Sequence, residues 1–138
     1  MDADALARKV AERLRAVEGT AAAWNIELED AGEGHARIAM VVRADMLNGH
    51  GICHGGMIFA LADTAFAYAC NSRNVETVAQ NATISFLAPA REGERLTAEC
   101  RELSLVGRSG VYQAMVTNPE GEKIAVFQGL SRLWEVPS

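Results

Sequence analysis

Asn48-Gly-His-Gly-Ile-Cys-His-Gly-Gly-Met-Ile-Phe-Ala-Leu-Ala-Asp63-Thr-Ala-Phe-Ala-Tyr-Ala-Cys70 is the stretch on which the reading of this chain turns. It opens as a loop, with glycines at 49, 51, 55 and 56, and becomes an almost wholly apolar run from Met57 to Cys70. Met57, Ala60, Leu61, Ala62, Ala65, Ala67 and Ala69 are strong helix formers, so the run predicts a helix. No face of that helix is polar, which predicts burial on all sides. Its length is too short to cross a bilayer. Within it sits one ionisable carboxylate, Asp63. A charge in such surroundings is costly unless it is paired, hydrogen-bonded or protonated, so its presence asks for a reason.

Outward from this stretch, the 138 residues predict a single domain, 1–138, large enough to bury a core without staples. Hydrophobic residues make up 49% and charged residues 22%, an ordinary globular mix. A net charge of −5 with no run of Lys or Arg argues against nucleic-acid binding. The three cysteines, at 53, 70 and 100, are odd in number and scattered. That is no disulfide framework and points to a reducing, cytoplasmic setting. The opening Met-Asp-Ala-Asp-Ala-Leu lacks the basic and apolar regions of a signal peptide. The expectation is a cytoplasmic protein with neither nucleic acid nor membrane as partner.

Residues 3–17 place Leu6, Val10, Leu14 and Val17 on one face, an amphipathic helix within 1–18 that Asp2 or Asp4 can cap and Gly19 can end. Residues 22–30 alternate around Trp24, Ile26 and Leu28 and predict a short strand. A turn at 31–34 follows, then a second strand from His35 to Val42. Beyond the apolar helix, Val78 to Leu87, Arg95 to Val106, Ser109 to Thr117 and Lys123 to Trp134 predict four strands on a meander. Asn118-Pro-Glu-Gly121 carries a type I turn signature. Hairpin-linked strands with one long helix give an α+β class with an antiparallel sheet. A sheet curled round one helix leaves edges and helix ends in need of partners, and oligomerisation supplies them.

Gly55 and Gly56 stand at the start of the apolar helix. The first N–H groups of a helix lack intrahelical acceptors and lie at the positive end of its dipole. Glycine lets a ligand approach the backbone closely. An N–H of Gly55 can therefore hold a carbonyl oxygen and stabilise the charge it develops on attack. Asp63 lies about two turns further on, roughly 12 Å at ~1.5 Å per residue. That is too far for both groups to serve one carbon, which points to a site shared between two subunits.

Other readings stand beside this one. A lone acid in an apolar helix also occurs as a hydrogen-bonded structural residue. His50, Cys53 and His54 resemble a metal cluster, but their close spacing on a glycine-rich loop lacks a second cluster to complete a site. Gly49-x-Gly51 is not a phosphate loop, because no Gly-Lys-Ser/Thr follows, and antiparallel neighbours make it a poor dinucleotide fingerprint. Cys53 beside His54 is a conceivable nucleophile with no third group to orient it.

Asn48-Gly, His54-Gly-Gly and Leu-Ala-Asp63-Thr-Ala together resemble the signature of hotdog-fold acyl-CoA thioesterases. The longer runs Met46-Leu-Asn-Gly-His50, Cys53-His-Gly-Gly56 and Leu61-Ala-Asp-Thr-Ala-Phe-Ala-Tyr-Ala-Cys-Asn-Ser72 are similar to the PaaI-type enzymes of phenylacetate degradation. With Ile84-Ser-Phe-Leu87 and Gly110-Val-Tyr112 the resemblance spans residues 35–134. The spacing from His-Gly-Gly to Asp is specific to the fold superfamily, and the run ending at Ser72 more so to PaaI-type members.

The resemblance implies a hotdog fold, an antiparallel sheet wrapped around one long central helix. It implies Asp63 as general base or nucleophile, Gly55 as N–H donor to the thioester carbonyl, and Asn48 as the polar side chain holding the thioester or water. His54 corresponds to the loop histidine and is expected to shape the loop. Thr64 and Asn81 join the substrate-binding residues, Asn81 where relatives often carry Ser. Ala88 stands before Pro89 where many relatives carry Arg. Arg91, Arg108 and Ser109 are then the candidates to meet the CoA phosphates. No cofactor and no metal is implied. The partners are an acyl-CoA and further copies of the chain, a dimer with shared sites extending to a tetramer. The expected activity is hydrolysis of an aromatic acyl-CoA, phenylacetyl or hydroxyphenylacetyl. The alternative is a non-catalytic acyl-CoA-binding module on the same fold. A hotdog dehydratase fits less well, since its usual catalytic His is not where a helix or following strand would present it.

Overall fold

The computed structural model describes residues 1–134. The first helix, α1, runs Ala3–Val17, and Asp2 caps it by accepting the N–H of Ala5 at 2.7 Å. Ala7, Val10 and Ala11 are its buried positions. Two sequence expectations fail just beyond it. Gly19 does not end the helix; the extended Glu18 does, and Gly19–Ala23 forms a second short helix, α2. The expected strand at 22–30 is therefore displaced to Glu27–Gly32, β1. The three alanines at 21–23 favour helix. Asn25, in the left-handed region at φ 52°, reverses the chain so that alternation takes effect only from Ile26 onward.

The remaining strands are β2 (His35–Val41), β3 (Thr77–Phe86), β4 (Arg95–Val106), β5 (Ser109–Thr117) and β6 (Lys123–Leu133). Between β2 and β3 lie a single 3₁₀ turn at Ala44–Met46 and the central helix α3, Gly55–Cys70. All six strands pair antiparallel in the order β1-β2-β4-β5-β6-β3. The expected four-strand meander is thus only three strands long. β3 does not pair with β4 but crosses to the far side of β6, with Thr77 opposite Leu133 and Phe86 opposite Ala125. The β3–β4 connection contains Pro89 and is too long for a tight hairpin, whereas β2 and β4 match in register from His35↔Arg101 to Val41↔Arg95. β3 is left as a free edge of the sheet.

Helix α3 touches every strand, so the sheet wraps it as a hotdog fold requires. Leu61, Ala62, Ala65, Phe66, Tyr68 and Ala69 are buried beneath it, each large apolar side chain contributing about 1.5–3 kcal/mol. Phe66 packs closely against β6: a Cβ at Gly129 would meet its ring at 2.7 Å, so that position has no room for a side chain. Burial on all sides is not observed. Ala60, Asp63 and Ala67 are only half-buried and Gly56 is exposed, and these four share one helix face. The single chain covers α3 with its sheet and leaves this narrow, small-residue face open. At the far end, Asn71 ties the helix to the sheet, donating to the carbonyls of Ala67 (2.9 Å) and Thr77 (3.1 Å) and accepting the N–H of Thr77 (2.9 Å).

Candidate active site

The loop before α3 is built by Asn48. Its Oδ1 accepts the N–H groups of His50 (2.9 Å) and Ile52 (3.3 Å), a local side-chain-to-backbone turn. The side-chain amide nitrogen Nδ2 then has no partner among the described residues. The loop is pinned to the body of the fold by Cys53 N–H to Ala90 O (2.8 Å) and His54 N–H to Met46 O (2.8 Å). His54 is the N-cap of α3: its Nδ1 accepts the N–H of Gly56 at 2.8 Å. The ring is thereby committed to the helix end. The N–H of Gly55, first residue of α3, has no acceptor among the described residues.

Asn48 and Gly55 line one cavity of about 510 Å³, whose other walls include Ile52, Cys53, Ile58 and Phe86. Its size lies in the range of small-molecule sites. Phe86, at the end of β3, stands against the helix N-terminus, since a Cβ on Gly55 would lie 2.9 Å from its Cζ. Two donors without a partner among the described residues, Gly55 N–H and Asn48 Nδ2, thus belong to residues that line this largely apolar cavity. Cys53 contributes wall rather than nucleophile. It is buried, and burial pushes its thiol up to about 11, away from the thiolate a nucleophile needs. Among the described residues no group of three His, Cys, Asp or Glu converges as a metal site does.

Asp63 does not line this cavity. It sits two turns down α3 on the open face, with no hydrogen-bond partner among the described residues. Burial, foremost, and then the charge of Glu18 hold its carboxyl above the ordinary carboxylate range. Thr64 beside it turns inward, donating to Ala60 O at 2.7 Å with Glu18 Oε1 at a longer 3.4 Å. Asn81 is exposed on the edge strand, next to the irregularity where β3 slips against β6. Arg91 is exposed just beyond the Ala88-Pro89-Ala90 wall of the cavity, its backbone N–H on Glu94. Arg108 and Ser109 lie at the β4–β5 turn. Arg108 lines a separate, smaller pocket with Cys70, at the C-terminal end of α3 and so at the opposite end from Gly55.

One chain thus brings together Asn48, Gly55 and His54, with Arg91 near by, and leaves Asp63, Arg108 and Ser109 apart from them. The sequence does not single out Phe86 as a wall of the site or Glu18 as a charge acting on Asp63. Phe86 is visible within the Ile84-Ser-Phe-Leu87 motif. Glu18 has no sequence signal, because only folding brings residue 18 to residue 64.

Comparison with known proteins bears on this arrangement. The model of the thioesterase superfamily matches residues 50–125, which include Gly55, Asp63 and Phe86. The acyl-coenzyme A thioesterase PaaI of Escherichia coli K12 is 44% identical over 114 residues, 83% of this chain and 81% of the relative. The solved structure of the PaaI protein from the Escherichia coli phenylacetic acid degradation operon superposes with a TM-score of 0.95 at 39% identity, covering 97% of both chains. A variant of the phenylacetic acid degradation protein PaaI from Thermus thermophilus superposes at 0.81 and 34% identity, over 85% of this chain and all of the other. On its sequence, its fold and the match through the α3 region, this chain belongs to the thioesterase superfamily and is a PaaI-type hotdog thioester hydrolase.

Proposed function

We propose that this hydrolase acts on acyl-CoA, with an aromatic acyl group of phenylacetyl or hydroxyphenylacetyl type, in sites shared between two copies of the chain. The observation that carries the reading is that Asn48 and Gly55, whose Nδ2 and N–H have no partner among the described residues, line one apolar cavity. The thioester carbonyl oxygen accepts from Gly55 N–H, where the positive end of α3 favours the charge that develops there. Asn48 Nδ2 steadies the thioester or the attacking water. The partner subunit's Asp63 completes the site, as base toward water or as nucleophile toward the carbonyl carbon. Collapse of the tetrahedral centre expels the CoA thiolate, which takes up the proton that water gives up; on the nucleophile route the acyl–Asp63 anhydride left behind is then cleaved by water, which releases the acid and restores the carboxylate.

The half-open face of α3 and the free edge of β3 are the surfaces a two-fold partner would cover. A partner α3 running antiparallel there would bring its Asp63 towards Gly55 and would bring Arg108 and Ser109 towards the partner's cavity mouth. Arg108 and Ser109, with Arg91 from the cavity's own chain, would then meet the CoA phosphates. Asn81 of β3 and Thr64 of α3 would serve the substrate beside the acid in the assembled site, and two such dimers would pair into a tetramer. The aromatic acyl group is supported by the apolar cavity and by the names of the relatives.

The test is a panel of CoA thioesters read by free thiol, with Asp63→Asn alongside wild type. Hydrolysis of aromatic acyl-CoA, reduced ~10²–10⁴-fold in Asp63→Asn as expected for loss of a general base, supports the reading. Tight binding of acyl-CoA by wild type without thiol release would replace it with a binding module.

A further inference from the structure

Among the described residues, Phe86 is the one aromatic side chain that lines the cavity beside Gly55. Its ring presents its far edge to the head of α3: a Cβ on Gly55 would stand 2.9 Å from Cζ, 3.3 Å from Cε1 and 3.4 Å from Cε2. The rings inside the fold pack on one another, Phe59 and Phe66 on Phe127 and Phe66 on Tyr112, with centroids 5.4–5.7 Å apart. Phe86 joins no such pair among the described residues, and it is 53% exposed. As the last residue of β3, opposite Ala125, it is fixed by the sheet at its backbone while its ring stays accessible.

A thioester whose carbonyl is held at Gly55 has two arms, the acyl group and the amide-bearing thiol arm of CoA. The cavity walls discriminate between them. The N–H of Ile52 goes to Asn48 Oδ1 (3.3 Å), that of Cys53 to Ala90 O (2.8 Å) and that of Ile58 to His54 O (3.3 Å). Leu87 and Ala88 both donate to Ile124 O, at 2.8 and 3.3 Å, and Pro89 has no N–H to give. These wall amides are therefore spent within the fold. The side chains between them are hydrocarbon, apart from Asn48 and the buried thiol of Cys53. An arm carrying amides would leave its carbonyls unpaired along such walls, which is costly. A hydrocarbon arm gains by leaving water for them.

We propose that this cavity takes the acyl arm of the substrate and that Phe86 is the specificity-determining residue that selects an aromatic ring there. The proposal rests on the reading above, in which Gly55 N–H holds the thioester carbonyl of an acyl-CoA. In a phenylacetyl group the ring lies one methylene from that carbonyl. A carbonyl at Gly55 thus sets the substrate ring beside Phe86, which touches the same residue. Two aromatic rings in edge-to-face or offset contact attract beyond the area they bury. A saturated ring of similar size fills the same space without that gain.

The experiment measures kcat/KM by free thiol for phenylacetyl-, cyclohexylacetyl- and acetyl-CoA in wild type, Phe86→Leu, Phe86→Tyr and Ile52→Phe, all in the full chain. Wild type should prefer the phenylacetyl to the cyclohexylacetyl thioester by roughly two- to tenfold, the worth of an aromatic pair. Phe86→Leu should lose that preference and Phe86→Tyr should keep it. Ile52→Phe narrows the cavity from another wall and should lower kcat/KM for phenylacetyl-CoA about tenfold relative to acetyl-CoA. A preference absent from wild type overturns the role of Phe86. So does a preference unchanged in Phe86→Leu, even if all rates fall, since a ring that touches the thiol arm or only supports the fold would act on every thioester alike. If Ile52→Phe lowers all three alike, the cavity does not hold the acyl arm, whether or not Phe86→Leu folds. Each of these failures leaves acyl-CoA hydrolysis standing. Wild type that releases thiol from none of the three would instead remove the proposed function, and this proposal with it.

Discussion

His54 Nδ1 accepts the N–H of Gly56 at 2.8 Å, and this bond leaves Gly55 N–H as the open donor at the head of α3. The histidine's Nδ1 is thereby committed to the backbone of the helix end. Asn is among the strongest N-cap residues, so His54→Asn is expected to keep the cap and most of the activity. His54→Ala removes the cap at a cost of about 1 kcal/mol, read as a fall in Tm. A base at position 54 would behave differently: His54→Asn would then lose activity as severely as Asp63→Asn, with loss of the pH-profile limb.

Asp63 also ties stability to pH. Its folded-state affinity for protons is raised, foremost by burial and then by Glu18, so the native chain binds that proton more tightly than the unfolded chain does. Ionising it therefore costs the fold, and the cost is present at pH above its folded pKa. It vanishes as pH falls below the ordinary value of 3.8, where both states are protonated. Asp63→Asn is expected to melt at or above the wild-type Tm at neutral pH. The difference should close on acidification. A variant clearly less stable than wild type at pH 7 would mean that Asp63 is held by favourable partners.

Gly55 and Phe86 are coupled by contact. A Cβ at 55 would stand 2.9 Å from Phe86 Cζ, the far end of a side chain that can swing aside. Gly55→Ala is expected to fold while pushing the ring into the cavity and lowering kcat/KM. Phe86→Leu in that background should restore part of the loss. The double-mutant cycle should give a coupling of about 0.5–3 kcal/mol. Strictly additive effects would mean that the ring does not limit the site.

The proposal that the site is shared between two copies of the chain makes its own prediction. Asp63→Ala chains mixed with Asn48→Ala chains, under conditions that exchange protomers, form hybrid dimers in which one site has both halves intact. Random exchange between the two inactive parents should recover about a quarter of wild-type activity, since half the dimers are mixed and each has one good site. Verified hybrids that remain inactive would place Asp63 and Asn48 in the same chain's site.

The local features of this protein were legible in its sequence because they depend on neighbours along the chain. The alanine-rich run after Gly55 and Gly56 specified a helix wherever it packed, and Asp63 stood out as the one carboxylate in that run. The separation of Gly55 and Asp63 was likewise a matter of helical rise alone. What the sequence left open was decided by contacts between distant segments. The crossing of β3 to β6 depended on which strand best matched its register, a competition that no window of sequence records. The open face of α3 emerged only when a six-stranded sheet covered the other sides. The approach of Glu18 to Thr64, and of Phe86 to Gly55, joins residues with no local signal for one another. Helix periodicity is a short-range property, whereas the charge and the wall of the site are long-range ones, fixed only by how the sheet and α1 close around α3.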